Sequence, residues 1–285
     1  MLAAEISQKT QNNVAFMRHS CSAGNAVRCM TLVAALLLPG LVQAQEGRPG
    51  GESGGLSLTL GGGAIVLPRY SGADSYRVRP APFIDARYGD RLFFNPFSGL
   101  GWNAVRTQNF RAGPVLLYAG GRRGSGALDG TRSVRGGVAA GGFMEYRLNG
   151  MRLDADLRFP MTGDVNGYRA SFGLRHDHRA GRWLTSIGPS LVYRSASSAD
   201  SLYGLDERDA GVLGVDPYRA GSGLTEVRLQ GRLTYLFNRD WSLTTVAGVG
   251  RLLNDAKDSP IVDDLGSANE GYLGVVLAYT FRRAQ

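Results

Sequence analysis

Two carboxylates, Asp154 and Asp156, stand two residues apart in the sequence, a spacing that can support acid/base chemistry. In an extended segment both side chains point to the same side of the chain. Arg152 and Arg158 share that side, and a guanidinium that pairs with a carboxylate favours its ionised form. We therefore interpret these four residues as structural ion pairs, and the sequence predicts no catalytic site.

Two further groups have the residue types of a metal site. His176 and His178 alternate along a similar segment, but no third ligand type lies near them in the sequence. The four aspartates of 255–264 offer oxygen ligands for calcium but lack the fixed spacing of a calcium-binding loop. We expect interfacial histidines and a solvated acidic loop, with no metal and no cofactor.

Strands with two different faces position these side chains. From Met151 to Phe159 apolar residues alternate strictly with charged ones, and similar period-two segments recur from Leu56 to Phe281. One face of each segment is apolar, and the other carries arginines and carboxylates. The charged residues that we expect on the inner face, as structural ion-pair candidates, are Arg77, Arg79, Asp85, Arg87, Arg152, Asp154, Asp156, Arg158, Arg169, Arg175, Asp177, Glu226, Arg228 and Arg232.

A soluble β-sandwich and a membrane β-barrel both produce such alternation, and three features favour the barrel. Aromatic residues concentrate near strand ends, tight turns alternate with long loops, and the chain closes on an aromatic strand, Tyr272 to Phe281. The sequence thus predicts an all-β protein, an antiparallel transmembrane β-barrel over residues 56–285. A barrel with both ends of its chain on the periplasmic side must have an even number of strands. This requirement gives twelve strands if 91–106 divides at Pro96 to Gly99, and ten strands otherwise.

The N-terminal region has the order of a secretory signal peptide. Arg18 and Arg28 precede an apolar run from Cys29 to Leu38, and small residues follow up to Ala44. We expect residues 1–44 to be removed near Ala44 after Sec-type export, and the polar, glycine-rich segment 45–55 to be flexible.

Composition excludes several classes of function. Removal of residues 1–44 takes away both cysteines, so the mature chain has neither a disulfide framework nor a thiolate metal site. The formal charge falls from +8 to +6, which is 29 basic minus 23 acidic residues. The arginines alternate along strands and do not cluster in a run, so we expect no nucleic-acid partner.

One stretch carries more information than the alternation. Pro68, Tyr70, Gly72, Asp74 and Tyr76 form a turn between two alternating segments, with Pro80 and Pro82 following. A second motif runs from Arg251 through Asp255 to Val262. In this order across residues 56–285, the motifs resemble the MipA/OmpV family of outer-membrane proteins, the MltA-interacting-protein type. Strand parity predicts that the turn faces the cell exterior.

The resemblance implies a location in the outer membrane of a Gram-negative bacterium, in contact with outer-membrane lipid. It also implies a non-enzymatic scaffold that links a murein hydrolase, a lytic transglycosylase, to a murein synthase, a bifunctional penicillin-binding protein, in peptidoglycan organisation. Two alternatives stay open. The barrel can act as a porin-like channel for small solutes, or as a surface adhesin through the loops expected at 120–133, 195–223 and 252–268. No contact residue follows from the resemblance.

Overall fold

A computed structural model describes residues 55–282 of the chain. The predicted signal peptide, most of the segment 45–55, and residues 283–285 lie outside the described residues, so these predictions stay predictions. Within the described range, no helix has both the length and the apolar character needed to cross a membrane.

The described residues form one antiparallel sheet of strand segments. In chain order these are β1 (Leu56–Pro68), β2 (Tyr76–Pro80), β3 (Phe83–Tyr88), β4 (Leu92–Asn95), β5 (Gly99–Trp102), β6 (Val105–Arg106), β7 (Phe110–Ala119), β8 (Gly137–Leu148), β9 (Met151–Pro160), β10 (Arg169–Ala180), β11 (Trp183–Arg194), β12 (Gly223–Leu236), β13 (Trp241–Leu252) and β14 (Asn269–Arg282).

The sheet closes on itself because β1 pairs with β14, from Ser57 opposite Arg282 to Val66 opposite Leu273. β2 and β3 pair with successive halves of β1 and make one strand of the wall, interrupted at 81–82. β5 and β6 both pair with β7 in the same way. The 14 segments of the described chain therefore form twelve strands, which confirms the predicted barrel and the predicted strand number.

The division of 91–106 is also confirmed. β4 pairs with β5 from Leu92 opposite Trp102 to Asn95 opposite Gly99, so the chain reverses direction across 96–98. The Asn95 side chain accepts hydrogen bonds from the backbone nitrogens of Phe97 and Ser98, at 3.0 and 2.7 Å. In the turn, these hydrogen bonds to a side chain take the place of the hydrogen bonds between strands.

The outer face of the wall is apolar, with aromatic residues near the end that carries the short turns. Trp183 packs on Tyr235 with ring centroids 4.7 Å apart, and Trp241 packs on Tyr279 at 5.2 Å. Leu153 and Phe159 of β9 are exposed, whereas the charged residues between them are half-buried. An exposed apolar belt flanked by aromatic residues is typical of a barrel surrounded by lipid.

The long loops at the other end fold into a cap, which consists of residues 69–75, 120–136, 161–168, 195–222 and 253–268. Its helical elements are a 3₁₀ turn (Gly126–Leu128), α1 (Ala196–Tyr203), α2 (Glu207–Leu213), α3 (Asn254–Lys257) and α4 (Pro260–Asp263). Residues far apart in sequence form its core, and the largest fully buried apolar side chains are Leu128, Tyr203, Leu252, Ile261 and Val262.

The cap corrects the prediction of a solvated acidic loop at 255–264 for one of its four aspartates. Asp258, Asp263 and Asp264 are exposed, but Asp255 is half-buried and accepts a hydrogen bond from the backbone nitrogen of Gly221 at 2.6 Å. The carboxylate joins two loops of the cap, because it satisfies a half-buried backbone donor of the neighbouring loop.

Candidate functional site: an arginine-rich lumen beneath a folded cap

Side chains from the inner face of the wall line a cavity of about 1260 Å³ inside the barrel. Its lining extends from Asp90 and Arg106 at the turn end to Arg69 and Ser71 in the first turn of the cap. Of the predicted inner-face residues, Asp177 is the one outside this lining. It is nonetheless paired with a lining residue, since Arg152 Nη2 lies 3.1 Å from Asp177 Oδ1.

Ion pairs cross the lumen side of β9 and β10. Arg175 Nη2 lies 3.3 Å from Asp154 Oδ2, and Arg158 Nη2 lies 2.7 Å from Asp156 Oδ1. Arg169 also approaches Asp156, at 3.6 Å. The strand register explains why Arg169 approaches Asp156. Asp156 stands opposite Ser171, and Arg169, two residues before Ser171, points to the same side of the sheet. Both aspartates are thus paired with arginines.

A second group of pairs joins β12 to β14. Arg228 pairs with Glu226 on its own strand and with Glu270 across the sheet, where Nη2 lies 2.8 Å from Oε1. Its guanidinium also lies 5.5 Å from the ring centroid of Tyr272. The predicted residues Asp85 and Arg87 pair on β3 at 2.9 Å. Opposite charges thus meet within the lumen at several points of the wall.

The lining carries more positive than negative charge. It includes 14 arginines and seven carboxylates, which gives an excess of 14 − 7 = 7 positive charges. The arginines are Arg69, Arg77, Arg79, Arg87, Arg106, Arg111, Arg147, Arg152, Arg158, Arg169, Arg175, Arg194, Arg228 and Arg232; the carboxylates are Asp85, Asp90, Glu145, Asp154, Asp156, Glu226 and Glu270. A lumen of this composition favours anions over cations.

Glu270 connects the lumen to the cap. Its Oε1 faces Arg228, and its Oε2 accepts hydrogen bonds from Ser71 Oγ and from the Gly72 backbone nitrogen, both at 3.2 Å. Ser71 Oγ also lies 3.1 Å from the hydroxyl oxygen of Tyr203 in α1. A continuous series of polar contacts therefore runs from the lumen wall into the core of the cap.

The motif turn of the first hairpin is a structural part of this cap. Tyr70 is buried, and its hydroxyl donates to the carbonyl oxygen of Ile261 at 3.4 Å. Tyr76 Oη accepts from the backbone nitrogen of Gly271 at 3.1 Å. Pro68 ends β1 half-buried, while Asp74 is exposed.

Burial shifts the pKa of several side chains in the cap. Arg122 donates from Nη1 to the carbonyl oxygen of Gly204 at 3.3 Å, and burial lowers the pKa of its guanidinium. Burial likewise raises the pKa of Tyr203. It also raises the pKa of Tyr70, with a further contribution from Asp74. These groups keep their ordinary charge at neutral pH, so their role in the cap is hydrogen bonding and packing.

His176 and His178 lie exposed on β10, with ring centroids 6.3 Å apart. Within residues 55–282, no group of three metal-binding side chains gathers anywhere.

Sequence reasoning missed several lumen residues. Glu270 is not among the predicted ion-pair residues, and neither is the pair formed by Arg111 and Glu145 at 2.7 Å. The alternation of side chains along a strand would have predicted them. Each lies an even number of residues from a lumen-facing position on its own strand and therefore shares its face. The contacts of Glu270 with Ser71 and Gly72 carry no local signal, since about two hundred positions separate the partners.

The closed twelve-stranded wall, its apolar belt and its charged interior define a β-barrel of the outer-membrane class. The family follows from the sequence: the model of the MipA family, described as MltA-interacting protein MipA, matches residues 60–281. The chain belongs to this family. The match includes the motif turn and nearly the whole barrel.

The solved structures to which this chain is similar are distant from it in sequence. An outer-membrane channel from Pseudomonas putida F1 is 12% identical with a TM-score of 0.44, and the alignment covers 83% of this chain and 100% of that one. The NanC porin is 10% identical at a TM-score of 0.40, covering 79% and 98%. OmpF of Salmonella typhi is 10% identical at 0.36, covering 80% and 98%. A comparison with curated protein sequences finds no match.

Proposed function

We propose that this protein is a non-enzymatic scaffold of the outer membrane that organises peptidoglycan-modifying enzymes. The observation that carries the proposal is the match to the MipA family over residues 60–281, since the family is described by its interaction with MltA. The partners proposed are a lytic transglycosylase and a bifunctional penicillin-binding protein. In this proposal the protein reaches the membrane by Sec-type export with cleavage near Ala44.

The short turns offer the docking surface for such partners. In outer-membrane barrels the short turns face the periplasm and the long loops face the exterior. The exposed arginines at the turn end of this barrel include Arg91, Arg179, Arg182 and Arg239. A partner in the periplasm would meet this basic rim first, so acidic patches on that partner are the expected complement.

Crosslinking in intact cells tests the scaffold. The wild-type barrel should co-purify with a lytic transglycosylase, and the double variant Arg179→Glu/Arg182→Glu should lose most of that recovery. Arg208→Glu/Arg219→Glu is the matched control, because both arginines are exposed in the cap at the opposite end. If neither hydrolase nor synthase is recovered with the wild-type protein at saturating crosslinker, the scaffold proposal fails.

A second candidate is a porin-like path for small anions, and the excess of 7 positive charges in the lumen favours it. Purified protein in a planar bilayer should then show stable conductance with anion selectivity that weakens at high salt. A barrel that inserts without conductance would exclude the path and leave the scaffold untouched. No specific observation favours adhesion, since the cap buries the large apolar side chains of its core.

A further inference from the structure

Four arginines gather where the lumen meets the cap, and we name them the mouth cluster: Arg69, Arg77, Arg79 and Arg123. Arg77 and Arg79 alternate on β2, so they share the inner face of the wall, and with Arg69 they line the barrel cavity. Arg77 Nη2 donates to the backbone carbonyl of Arg69 at 2.7 Å. Arg79, Arg123 and Arg69 all lie near enough to Arg77 for their like charges to oppose that of its guanidinium.

No carboxylate neutralises the mouth cluster, whereas most other lumen arginines are paired; among the described lining residues, Arg194 and Arg232 are the other arginines without an ion pair. Within the described residues, none of its four members forms an ion pair, whereas Arg87 on the same wall strand pairs with Asp85. Glu270 is the carboxylate that β14 contributes at this end of the lumen, and it is already engaged by Arg228, Ser71 and Gly72. Like charges held together raise the free energy of the folded protein unless a counter-charge joins them.

One hydrogen-bond donor of the cluster also lacks a partner. Arg77 Nε is buried and has no hydrogen-bond partner among the described residues. A guanidinium offers several donors in a planar fork, which matches the oxygens of a phosphate or a related oxyanion. Arg77 and Arg79 both line the cavity, so a solute that enters it meets their side chains.

We infer that the mouth cluster is a binding site for a multiply charged oxyanion of the phosphate class. The ligand would be held by Arg77 and Arg79 from the wall, with Arg69 and Arg123 closing the site from the cap. Two sources supply this chemistry, namely a free phosphorylated solute in the lumen and the phosphate of a lipid headgroup at the rim. The site does not depend on the scaffold role or on conductance, because binding requires neither a protein partner nor passage through the barrel.

The test is calorimetric titration of the purified full barrel with inorganic phosphate, in a non-ionic detergent at low ionic strength. The wild-type protein should bind phosphate more tightly than chloride, and the affinity should fall as salt is added. Arg77→Gln and Arg79→Gln should each weaken phosphate binding about tenfold or more, as loss of a charge-assisted hydrogen bond implies. Arg87→Gln is the matched control, because it removes one lumen charge from the same strand outside the cluster.

Three results would overturn the inference. The first is no detectable phosphate binding by the wild-type barrel, and the second is equal weakening by Arg77→Gln and Arg87→Gln. The third is phosphate affinity no greater than chloride affinity. Heat-modifiable mobility on a gel confirms that each variant has folded, and Arg79→Gln serves if Arg77→Gln does not fold.

A further titration separates the two sources. Phosphatidylglycerol in mixed micelles should compete with inorganic phosphate if a headgroup phosphate enters the same site. Without competition, the site is assigned to soluble oxyanions alone.

Discussion

The carboxylate of Glu270, on the last strand, accepts a hydrogen bond from the backbone nitrogen of Gly72, in the first turn, at 3.2 Å. The two residues stand at opposite ends of the barrel sequence, and closure between β1 and β14 brings them together. Because the same carboxylate pairs with Arg228 in the lumen, the contact joins three features of the protein, namely the closing seam, the cap and the charged interior.

Replacement of Glu270 should loosen the cap. Glu270→Ala removes the ion pair with Arg228 and leaves the Gly72 nitrogen without its acceptor, so we expect a loss of about 2 to 4 kcal/mol in unfolding free energy. Glu270→Gln keeps an acceptor and should cost less, about 1 to 2 kcal/mol. Unfolding in detergent gives these values. Asp264→Asn, an exposed position in the cap, is the control, and equal stability of all three variants would contradict the role assigned to Glu270.

Gly72 cannot accept a side chain without strain. Its φ is +92°, and a Cβ atom there would lie 2.5 Å from Val262 Cγ2 in the cap core. Gly72→Ala should therefore lower the unfolding free energy by about 2 to 4 kcal/mol, from backbone strain and overpacking together. Gly62→Ala on β1 is the matched control, since a Cβ atom added at Gly62 would meet nothing within 4 Å.

A second substitution separates the two causes of this loss. Val262→Ala makes room for the new methyl group but leaves the backbone conformation of residue 72 unchanged. Combined with Gly72→Ala, it should cost less than the sum of the two single changes. Strict additivity would show that overpacking against Val262 contributes nothing.

Asp164 should remain ionised at unusually low pH. A side-chain hydrogen bond from Arg135 and a second bond from the Arg135 backbone nitrogen lower the pKa of Asp164 to about 2. A carboxylate whose pKa is depressed on folding stabilises the folded form above its ordinary pKa of 3.8, and this stabilisation is lost as the pH falls toward 2.

Limited digestion with pepsin tests this pH dependence. In the wild-type protein, cleavage within 161–168 should increase as the pH falls from 3.8 toward 2. Asp164→Asn should be cleaved readily across that whole window, while digestion elsewhere in the barrel stays the same. A wild-type profile that matches the Asp164→Asn profile would show that the pair with Arg135 does not hold the loop.

The pair formed by Arg175 and Asp154 should show positive coupling. Arg175→Gln leaves Asp154 on a half-buried wall with Asp156 and Glu145 nearby, so it should destabilise the barrel by about 1 to 3 kcal/mol. The double variant Arg175→Gln/Asp154→Asn should recover part of that loss, with a coupling energy of about 1 kcal/mol. Unfolding of all four proteins in detergent measures the coupling, and a value near zero would mean that the pair is not energetically significant.

The barrel was predictable because strand alternation is a local property of the chain. Arg152, Asp154, Asp156 and Arg158 share a face in any extended conformation, whatever lies opposite them. The division of 91–106 followed from parity, since a closed wall with both ends on one side requires an even number of strands. The turn from Pro68 to Tyr76 was visible as a motif, although its burial against Ile261 and Val262 was not.

The cap and the charge balance of the lumen depend on contacts between distant residues. Leu128, Tyr203 and Val262 come from three loops. No hydrophobic periodicity within any one of these loops indicates that its residue belongs to a core. Which arginines find a carboxylate is set by strand register and by the position of Glu270, so Arg228 is neutralised while Arg77 is not. Local sequence determines which face of a strand a charged residue occupies, because successive side chains of any strand point to opposite faces. Only closure of the barrel determines which other charges it meets, because the partners lie on strands and loops that the sequence does not place side by side.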